Sequence, residues 1–585
     1  MKKKSEHKVR ELCRENYPLL ILLVVFSVII AVCNGCNALV IRKVVDLING
    51  ERPEEFKKYL VILTMVFLGS IISQYIYTRL YNKYSYYTST EIRNNLFRNL
   101  IRKRYPDFKK RDVGEYVSMI TIDATKLNDG YFLSTITIIN NLLNIISSVA
   151  IMLVMSLKLS IVVLIISLIP MVVTSLCGHK LPKINAIIIE KNRQFVSFIK
   201  EAFSGFHIMK SFMVEDKIFS KFKDVNDGWN KSVKEGGDEG AKIAVFAEGS
   251  SQLIVVGTIA IGSIMIYNGL VTFGVIMAFF ELLSNILQPI DQLSQNLVLR
   301  KGIKPIVEKV IEDSIDIDDT ARPLSISGFE NSIKLDNVSF SYVEHEPLLK
   351  KVSFDIEKNK KYLLAGRSGG GKSTIFDLIR GYYSNYTGNI TIDGKEVRNI
   401  SHESLNTNIS IVDQNVFLYN ASIRDNITLF CDFPEEKINE AVWMAGLTDL
   451  VNRNGLDAQC GENGNLISGG EKQRISIARC LLRDMPILFF DEATSALDNE
   501  IASEIESFIL SLNVTCFVIS HRFNSNILKN YDKIYYIENG CVEESGTYNE
   551  LMCKRGKFYT QIQATLNKMG NGSDEEMISV LDSSS

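Results

Sequence analysis

The chain has 585 residues, of which 46 % are hydrophobic and 23 % charged, so it is long enough for more than one domain. This composition can build a packed core, which excludes a disordered chain, a collagen-like protein and a disulfide scaffold. The formal net charge is −2, so the chain lacks the excess of basic residues that would indicate a nucleic acid as its main partner.

Long uncharged runs fill the first half of the chain. A run of about 20 apolar residues can cross the hydrocarbon core of a bilayer as a helix. The last run is too long for one span and is broken at Asn268-Gly269, so we predict six membrane helices. The runs are 17–41, 59–78, 131–157, 159–178 and 249–280, the last divided into helices at about 244–267 and 271–296.

The distribution of Lys and Arg predicts the orientation of these helices. Basic residues are dense before residue 15 and between the second and third runs, and such segments stay in the cytoplasm. The first run lacks a small-residue cleavage site, so we do not expect a removed signal peptide. The long inside loops, 79–130 and 179–243, are rich in helix formers, which predicts cytoplasmic extensions of the helices. Few Trp residues and an Ile/Lys/Asn-rich sequence favour a bacterial cell membrane as the location.

Two features of the membrane half allow more than one interpretation. Glu281 lies near the middle of the sixth helix, where a carboxylate is costly. It either lines a polar, water-accessible substrate path or is protonated and hydrogen-bonded to a neighbouring helix. Three Asn residues of the third helix could be its partners or simple interhelical contacts: Asn140, Asn141 and Asn144.

The second feature is a pair of cysteines in an apolar run. Cys33 and Cys36 share a helix face, so inert packing is favoured over a redox or metal role.

The second half reads as a soluble domain. After about residue 304 the apolar runs shorten and acidic residues appear. We expect a transmembrane domain at 1–310, a linker at 311–331, an α/β domain at 332–568 and a disordered acidic, Ser-rich tail at 569–585.

A phosphate-binding loop follows a short buried strand at 362–365. The pattern GxxxxGK[ST] lies between that strand and a helix, and its glycines let backbone N–H groups converge on phosphate oxygens. Lys372 would reach the β- and γ-phosphates, and Ser373 would hold Mg²⁺. The loop residues are Gly366, Arg367, Ser368, Gly369, Gly370, Gly371, Lys372, Ser373 and Thr374.

Two further motifs extend this site. Asp491 and Glu492 end an apolar strand, so Asp491 can reach Mg²⁺ and Glu492 is the candidate general base for an attacking water. Ser468 with Glu471 forms a capping-box pattern at a helix start. Gly469 and Gly470 bare the N–H groups of the first turn, which suits an anion.

With these motifs in this order, the second half resembles the nucleotide-binding domain of the ATP-binding cassette (ABC) family, and the first half resembles its exporter-type membrane domain. The resemblance covers about 1–565. It implies that Tyr342 stacks on adenine, Gln414 senses Mg²⁺, Asp498 belongs to the D-loop and His521 contacts the γ-phosphate. It also places docking segments for the nucleotide-binding domain at 121–126 and 203–212. The signature departs from the common pattern at Ile467 and Glu471.

The resemblance implies an ATP hydrolase coupled to transport. In the family, the signature of one subunit closes over the ATP of another, so a chain with one cassette needs a second subunit, with a homodimer favoured and a heterodimer possible. We expect ATP-driven export of an amphipathic drug-like molecule, lipid or peptide by alternating access. The alternatives are an importer on the same scaffold, for example of metal chelates, and a non-transport ATPase.

Overall fold

The computed structural model describes residues 16–48, 53–167, 169, 180–313, 322–343, 346–367, 369–494, 497, 499–520 and 524–569. These residues form two compact units. The first is drawn from 1–102 and 111–315, and the second from 103–110 and 316–585. The short segment 103–110 therefore groups with the second unit, although the chain before and after it belongs to the first.

The first unit is helical. Within the described residues, five helical segments are long and apolar enough to cross a membrane, and Leu157–Ser167 is a shorter apolar helix. The fold class predicted from the sequence is confirmed, although half of the fourth predicted run lies outside the described residues. The long helices are α1 (Tyr17–Ile48), α2 (Pro53–Ile101), α6 (Ser134–Met155), α7 (Leu157–Ser167), α10 (Glu215–Tyr267) and α11 (Phe273–Gly302).

Two of these helices are far longer than a bilayer is thick. Helix α2 has 49 residues and α10 has 53, which at about 1.5 Å per residue exceeds the apolar core by a wide margin. The predicted helical extensions are therefore present. Shorter helices connect the long ones: α3 (Tyr105–Lys109), α4 (Val113–Ser118), α5 (Ala124–Leu127), α8 (Leu181–Ser204), α9 (Phe206–Ser211) and α12 (Lys304–Asp313).

The segment before α6 is not a uniform α-helix. Two π-helical turns, Met119–Asp123 and Asn128–Leu133, flank α5. The predicted docking segment 121–126 lies inside this winding and belongs to the first unit.

The second unit has two sheets. The smaller is antiparallel with strand order β2-β1-β4-β5, and the larger has the order β10-β9-β3-β8-β7-β6, parallel except for β10. The strands are β1 (Ser332–Phe340), β2 (Leu349–Glu357), β3 (Lys361–Gly366), β4 (Thr387–Ile392), β5 (Lys395–Glu396), β6 (Ile409–Val412), β7 (Ile487–Asp491), β8 (Thr515–Ile519), β9 (Lys533–Glu538) and β10 (Cys541–Gly546).

Helices cover one face of the parallel sheet, while the helix after β3 and the antiparallel sheet cover the other, and this is why its strands are almost wholly apolar. Strands β3 and β8 are buried along their whole length. The helices are α13 (Lys372–Ile379), α14 (His402–Asn406), α15 (Ile423–Thr428), α16 (Glu435–Met444), α17 (Thr448–Asn454), α18 (Gly469–Leu482), α19 (Asn499–Ser511), α20 (Ser525–Leu528), α21 (Tyr548–Lys554) and α22 (Lys557–Met569). The carboxyl ends of β3, β6 and β7 meet at one edge, where the sequence motifs come together.

Candidate active site

The loop between β3 and α13 has the backbone that its glycines predict. Gly366 has φ +143°, and a Cβ there would lie 2.0 Å from the carbonyl oxygen of Ile537. Gly371 has φ +90°, and a Cβ there would meet the side chain of Leu349 at 2.6 Å. The loop therefore keeps its shape only without side chains at these positions.

The Lys372 side chain lies inside this loop. Its Nζ donates to the carbonyl oxygens of Gly366 at 3.1 Å and Arg367 at 2.8 Å, and the residue is 5 % exposed. Burial lowers the pKa of Lys372, while the nearby carboxylates of Glu492 and Asp491 act in the opposite direction. The Lys372 ammonium is thus held at the N-terminus of α13, where phosphate oxygens would be bound.

Carboxyl and hydroxyl groups gather at the end of β7. The Ser373 hydroxyl lies close enough to Asp491 to lower the pKa of that carboxyl. Gln414 donates from Nε2 to Oε2 of Glu492 at 2.6 Å. Burial raises the pKa of Asp491, and the charges of Glu492 and Asp413 raise it further. This excess of negative charge on hard oxygen donors fits a divalent cation such as Mg²⁺.

Glu492 adopts an unusual backbone conformation directly after the strand. Its φ is +50°, and its N–H donates to the carbonyl oxygen of Ile519 at 2.9 Å. A left-handed residue other than Gly costs about 1–2 kcal/mol. The surrounding contacts hold that conformation, which fixes the direction in which the carboxylate leaves the strand.

Tyr342 lies two residues beyond the end of β1. Its hydroxyl is 3.0 Å from Oγ1 of Thr374, and its ring makes edge contacts with Phe340 and Tyr383. The side chain is 53 % exposed, so a ring face remains open to a planar ligand such as adenine.

The signature forms the predicted capping box. Ser468 is the N-cap of α18, and both its N–H and its hydroxyl donate to Oε2 of Glu471, at 2.9 and 2.7 Å. Arg453 donates to the other carboxylate oxygen at 2.8 Å. Burial alone would raise the pKa of Glu471, but the bonds from Ser468 and Arg453 lower it below its ordinary value. The sequence did not single out Arg453.

The structure brings together Gly366, Arg367, Gly369, Gly370, Gly371, Lys372, Ser373, Thr374, Tyr342, Gln414, Asp491 and Glu492 around the carboxyl edge of the sheet. Ser468, Gly469 and Gly470 form the separate start of α18. Ser368, Asp498 and His521 lie outside the described residues.

The segment 103–110 is a feature that sequence reasoning missed. Within the second unit, the ring of Tyr105 lies 5.0 Å from that of Tyr382, and Lys109 lies 4.9 Å from the centroid of the Tyr105 ring. Arg380 covers Tyr382 at 4.4 Å. The segment 103–110 is therefore the part of the loop between α2 and α6 that groups with the second unit. A signal was present in Tyr105-Pro106, which starts a short helix.

Polar side chains also meet inside the first unit. Asn34 donates to Asn144 at 3.3 Å, which joins α1 to α6. The oxygen of Asn37 and the nitrogen of Asn141 are buried without a hydrogen-bond partner in the described part of the chain. Asn144 is thus an interhelical contact. For the carboxylate of half-buried Glu281, the same part of the chain provides no hydrogen bond or ion pair.

Comparisons with known proteins agree with this geometry. Residues 20–290 match the family model of the ABC transporter transmembrane region, and residues 349–495 match the family model described as ABC transporter. An ATP-dependent lipid A-core flippase of Shewanella denitrificans is 30 % identical over 487 residues, 80 % of this chain and 79 % of the relative. The chain belongs to the ABC transporter family.

Other ABC transporters extend the likeness over nearly the whole chain. A lipid A-core flippase of Desulfotalea psychrophila is 28 % identical over 91 % of this chain and 94 % of the relative. A Staphylococcus aureus protein named for multidrug export is 30 % identical over 83 % of this chain and 85 % of that protein. The solved structure of an ATP-bound bacterial Atm1-family ABC exporter has a TM-score of 0.82 at 20 % identity, covers 96 % of this chain and 99 % of that one, and shares the fold.

Membership in the ABC transporter family confirms several predictions. The chain is an integral membrane protein of a bacterial cell membrane, it binds and hydrolyses ATP, and hydrolysis drives transport. With one membrane domain and one ATPase domain, it works as part of a dimer.

Proposed function

We propose that this chain forms a homodimer that exports an amphipathic molecule from the cytoplasmic side of the membrane by alternating access. The observation that carries the ATPase part is the hydrogen bond from Gln414 to Glu492 beside Asp491 and Lys372. It unites the general base, the metal-binding acid and the phosphate-binding lysine in one chain, so no partner has to supply them.

In the proposed hydrolysis, each residue has one task. The loop N–H groups and Lys372 hold the phosphates, and Tyr342 stacks on adenine. Ser373, Asp491 and the amide oxygen of Gln414 would hold Mg²⁺, which when bound neutralises charge on the β- and γ-phosphates. Glu492 accepts a hydrogen bond from the attacking water and orients it towards the γ-phosphorus. His521 and Asp498 keep the roles that the resemblance implies.

Two ATP molecules would be bound between the subunits, each with one loop at Lys372 and the partner's signature at Ser468. The N-terminus of α18 presents free N–H groups to the γ-phosphate, and its positive dipole favours that charge. ATP therefore binds the closed dimer more tightly than the open one, and this difference shifts the population towards the closed state. Hydrolysis removes the difference.

A homodimer also explains the apolar surface around α9. Phe203, Phe212 and Met213 are 72, 74 and 87 % exposed at a bend between two long helices. Exposed apolar clusters of this kind mark protein interfaces. We propose that the partner's nucleotide-binding domain covers 203–212, which keeps the role expected for this segment.

The coupling step would use the segment 103–110. The chain runs from α2 into Tyr105–Lys109 and then into α4. A movement of the second unit at Tyr382 would therefore be transmitted through the backbone to α2 on one side and to α4 on the other. Orientation follows from the basic loops, with the N-terminus and the ATPase domain in the cytoplasm.

Amphipathic cargo is supported by two observations. The membrane helices carry polar side chains, including Asn37, Asn141 and Glu281, within otherwise apolar runs. Two relatives are named as lipid A-core flippases and one for multidrug export, and the cargoes in those names are amphipathic. A metal-chelate importer is the alternative on this scaffold.

ATPase activity of the chain alone in lipid nanodiscs tests the homodimer. We expect wild-type activity and a loss of about 100-fold or more in Glu492→Gln, with ATP binding retained and the closed dimer trapped. A Glu492→Gln protein that hydrolyses ATP like the wild type would refute the role of this residue. A wild-type protein that binds ATP but has no ATPase activity in this assay would refute the homodimer.

Flux in inside-out vesicles tests the direction. ATP added outside such vesicles should drive uptake of fluorescent amphiphiles into the lumen. Release of preloaded amphiphile on ATP addition would establish the importer instead.

A further inference from the structure

One end of the first unit contains a cavity of about 170 Å³. It lies at the start of α1 and the end of α11, the end from which the chain continues towards the ATPase domain. That volume equals about five to six water molecules, enough for a small polar head group. Among the residues that line it are Tyr17, Tyr84, Tyr131, Phe132, Thr135 and Arg300.

Arg300 supplies a positive charge to this cavity. Its guanidinium lies 5.1 Å from the centroid of the Tyr131 ring and donates to Oγ1 of Thr135 at 3.4 Å. The described part of the chain offers it no carboxylate within ion-pair distance. Since a guanidinium has five N–H donors, most of them remain for a ligand.

Tyr131 adds a second unsatisfied donor. The residue is 8 % exposed and lines the cavity, yet its hydroxyl has no hydrogen-bond partner among the described residues. A buried hydroxyl left unpaired costs about 1–3 kcal/mol, so a ligand that accepts from it would remove that cost.

These groups select one ligand chemistry. Aromatic walls alone would suit a quaternary ammonium, but the Arg300 charge repels it. A guanidinium and a phenol hydroxyl both donate, so the ligand must offer acceptor oxygens and negative charge, as a phosphate does. The rings suit the apolar part next to that phosphate.

The position supplies the source of the phosphate. Tyr17 and Tyr131 are the first residues of two of the apolar runs that cross the membrane. Tyrosine and arginine at that level lie in the head-group layer of a bilayer. We propose that this cavity binds the phosphate of an anionic phospholipid, whose acyl chains remain in the hydrocarbon layer. The assignment concerns the first unit alone and does not depend on the cargo proposed above.

Native mass spectrometry of the full chain tests this site without ATP or cargo. The protein is titrated with phosphatidylglycerol or with phosphatidylcholine of identical chains. We expect wild-type protein to bind phosphatidylglycerol about tenfold more tightly than phosphatidylcholine, and Arg300→Ala to lose this preference, since one charge-assisted hydrogen bond accounts for about tenfold. Lys301→Ala removes an equal charge from the neighbouring exposed residue and should keep the preference.

Tyr131→Phe keeps the ring and removes the unpaired hydroxyl, so it carries the test if Arg300→Ala does not fold. It should weaken phosphatidylglycerol binding about threefold to tenfold. Equal binding of the two lipids by the wild type, or equal losses in Arg300→Ala and Lys301→Ala, would overturn the proposal. Displacement of the lipid by an equal concentration of inorganic phosphate would overturn the lipid assignment.

Discussion

The side-chain amide of Gln414 donates to the carboxylate of Glu492 across 2.6 Å, although 78 residues separate them in sequence. Strands β6 and β7 are parallel neighbours, with Val412 paired to Phe490, so the residues that follow their carboxyl ends meet. The backbone N–H of Glu492 donates to the carbonyl oxygen of Ile519 in β8. Glu492 is therefore restrained from both sides of β7: Gln414, which follows β6, binds its carboxylate, and Ile519 of β8 binds its backbone.

Gln414→Ala should remove one of these restraints. We expect kcat for ATP hydrolysis to fall about 10- to 100-fold with a smaller change in KM, because the general base loses its fixed position while the phosphate-binding loop is intact. Steady-state ATPase assays in nanodiscs measure both constants. Gln194→Ala, an exposed glutamine of the first unit, is the control. A rise in KM at unchanged kcat would contradict the positioning role.

The sequence predicted this site because its motifs are local. Gly366 and Gly371 reveal a loop that only glycine can form, and Asp491 ends a run of buried strand residues. The Gln414–Glu492 contact was not predicted by pattern alone, since it depends on which strands are neighbours. The Tyr105–Tyr382 contact was not predicted either, because it depends on ring packing against a residue almost 300 positions away.

The Arg453–Glu471 pair should matter for ATP-driven closure. Glu471 places a carboxylate at the helix start that is proposed to face the partner's γ-phosphate, and Arg453 neutralises it at 2.8 Å. Arg453→Ala should raise KM for ATP about threefold to tenfold, because Glu471 would then repel phosphate. Glu471→Gln should leave KM equal or lower.

The double variant separates charge from fold. If Arg453 acts by neutralising Glu471, the Arg453→Ala effect should disappear in the Glu471→Gln background, which a double-mutant cycle of KM measures. An equal effect in both backgrounds would contradict this role.

Tyr105→Ala should uncouple ATP hydrolysis from movement of the membrane helices. The variant loses the ring contact with Tyr382, so the second unit can close without pulling on α2. ATPase activity should persist at half the wild-type rate or more. A spin label at Tyr267, which is 92 % exposed next to the break between α10 and α11, reports the ATP-driven distance change across the dimer.

The matched control is Ile122→Ala, which truncates a 52 % exposed residue in the segment that the sequence favoured. We expect this variant to keep the distance change and Tyr105→Ala to lose it. The reverse pattern would assign the coupling role to 121–126 instead of 103–110.

Asp377 should make the stability of the ATPase domain depend on pH. Burial raises its pKa to about 6, while Arg380 and Lys109 oppose the rise and Asp413 and Asp491 add to it. Between about pH 4 and 6 the folded state then binds more protons than the unfolded state, so stability falls as pH rises through this window. Asp377→Asn should remove this loss, which is at most about 3 kcal/mol.

Thermal inactivation of the full chain in nanodiscs measures this effect. Between pH 5 and pH 7.5, the temperature of half-inactivation should fall less for Asp377→Asn than for the wild type. At pH 7.5 the variant should be the more stable protein. Asp432→Asn, at an exposed acid in the same unit, should follow the wild type at both pH values. If Asp377→Asn is less stable than the wild type at pH 7.5, attraction to Lys109 and Arg380 outweighs the burial of the carboxylate, and the sign of this prediction is wrong.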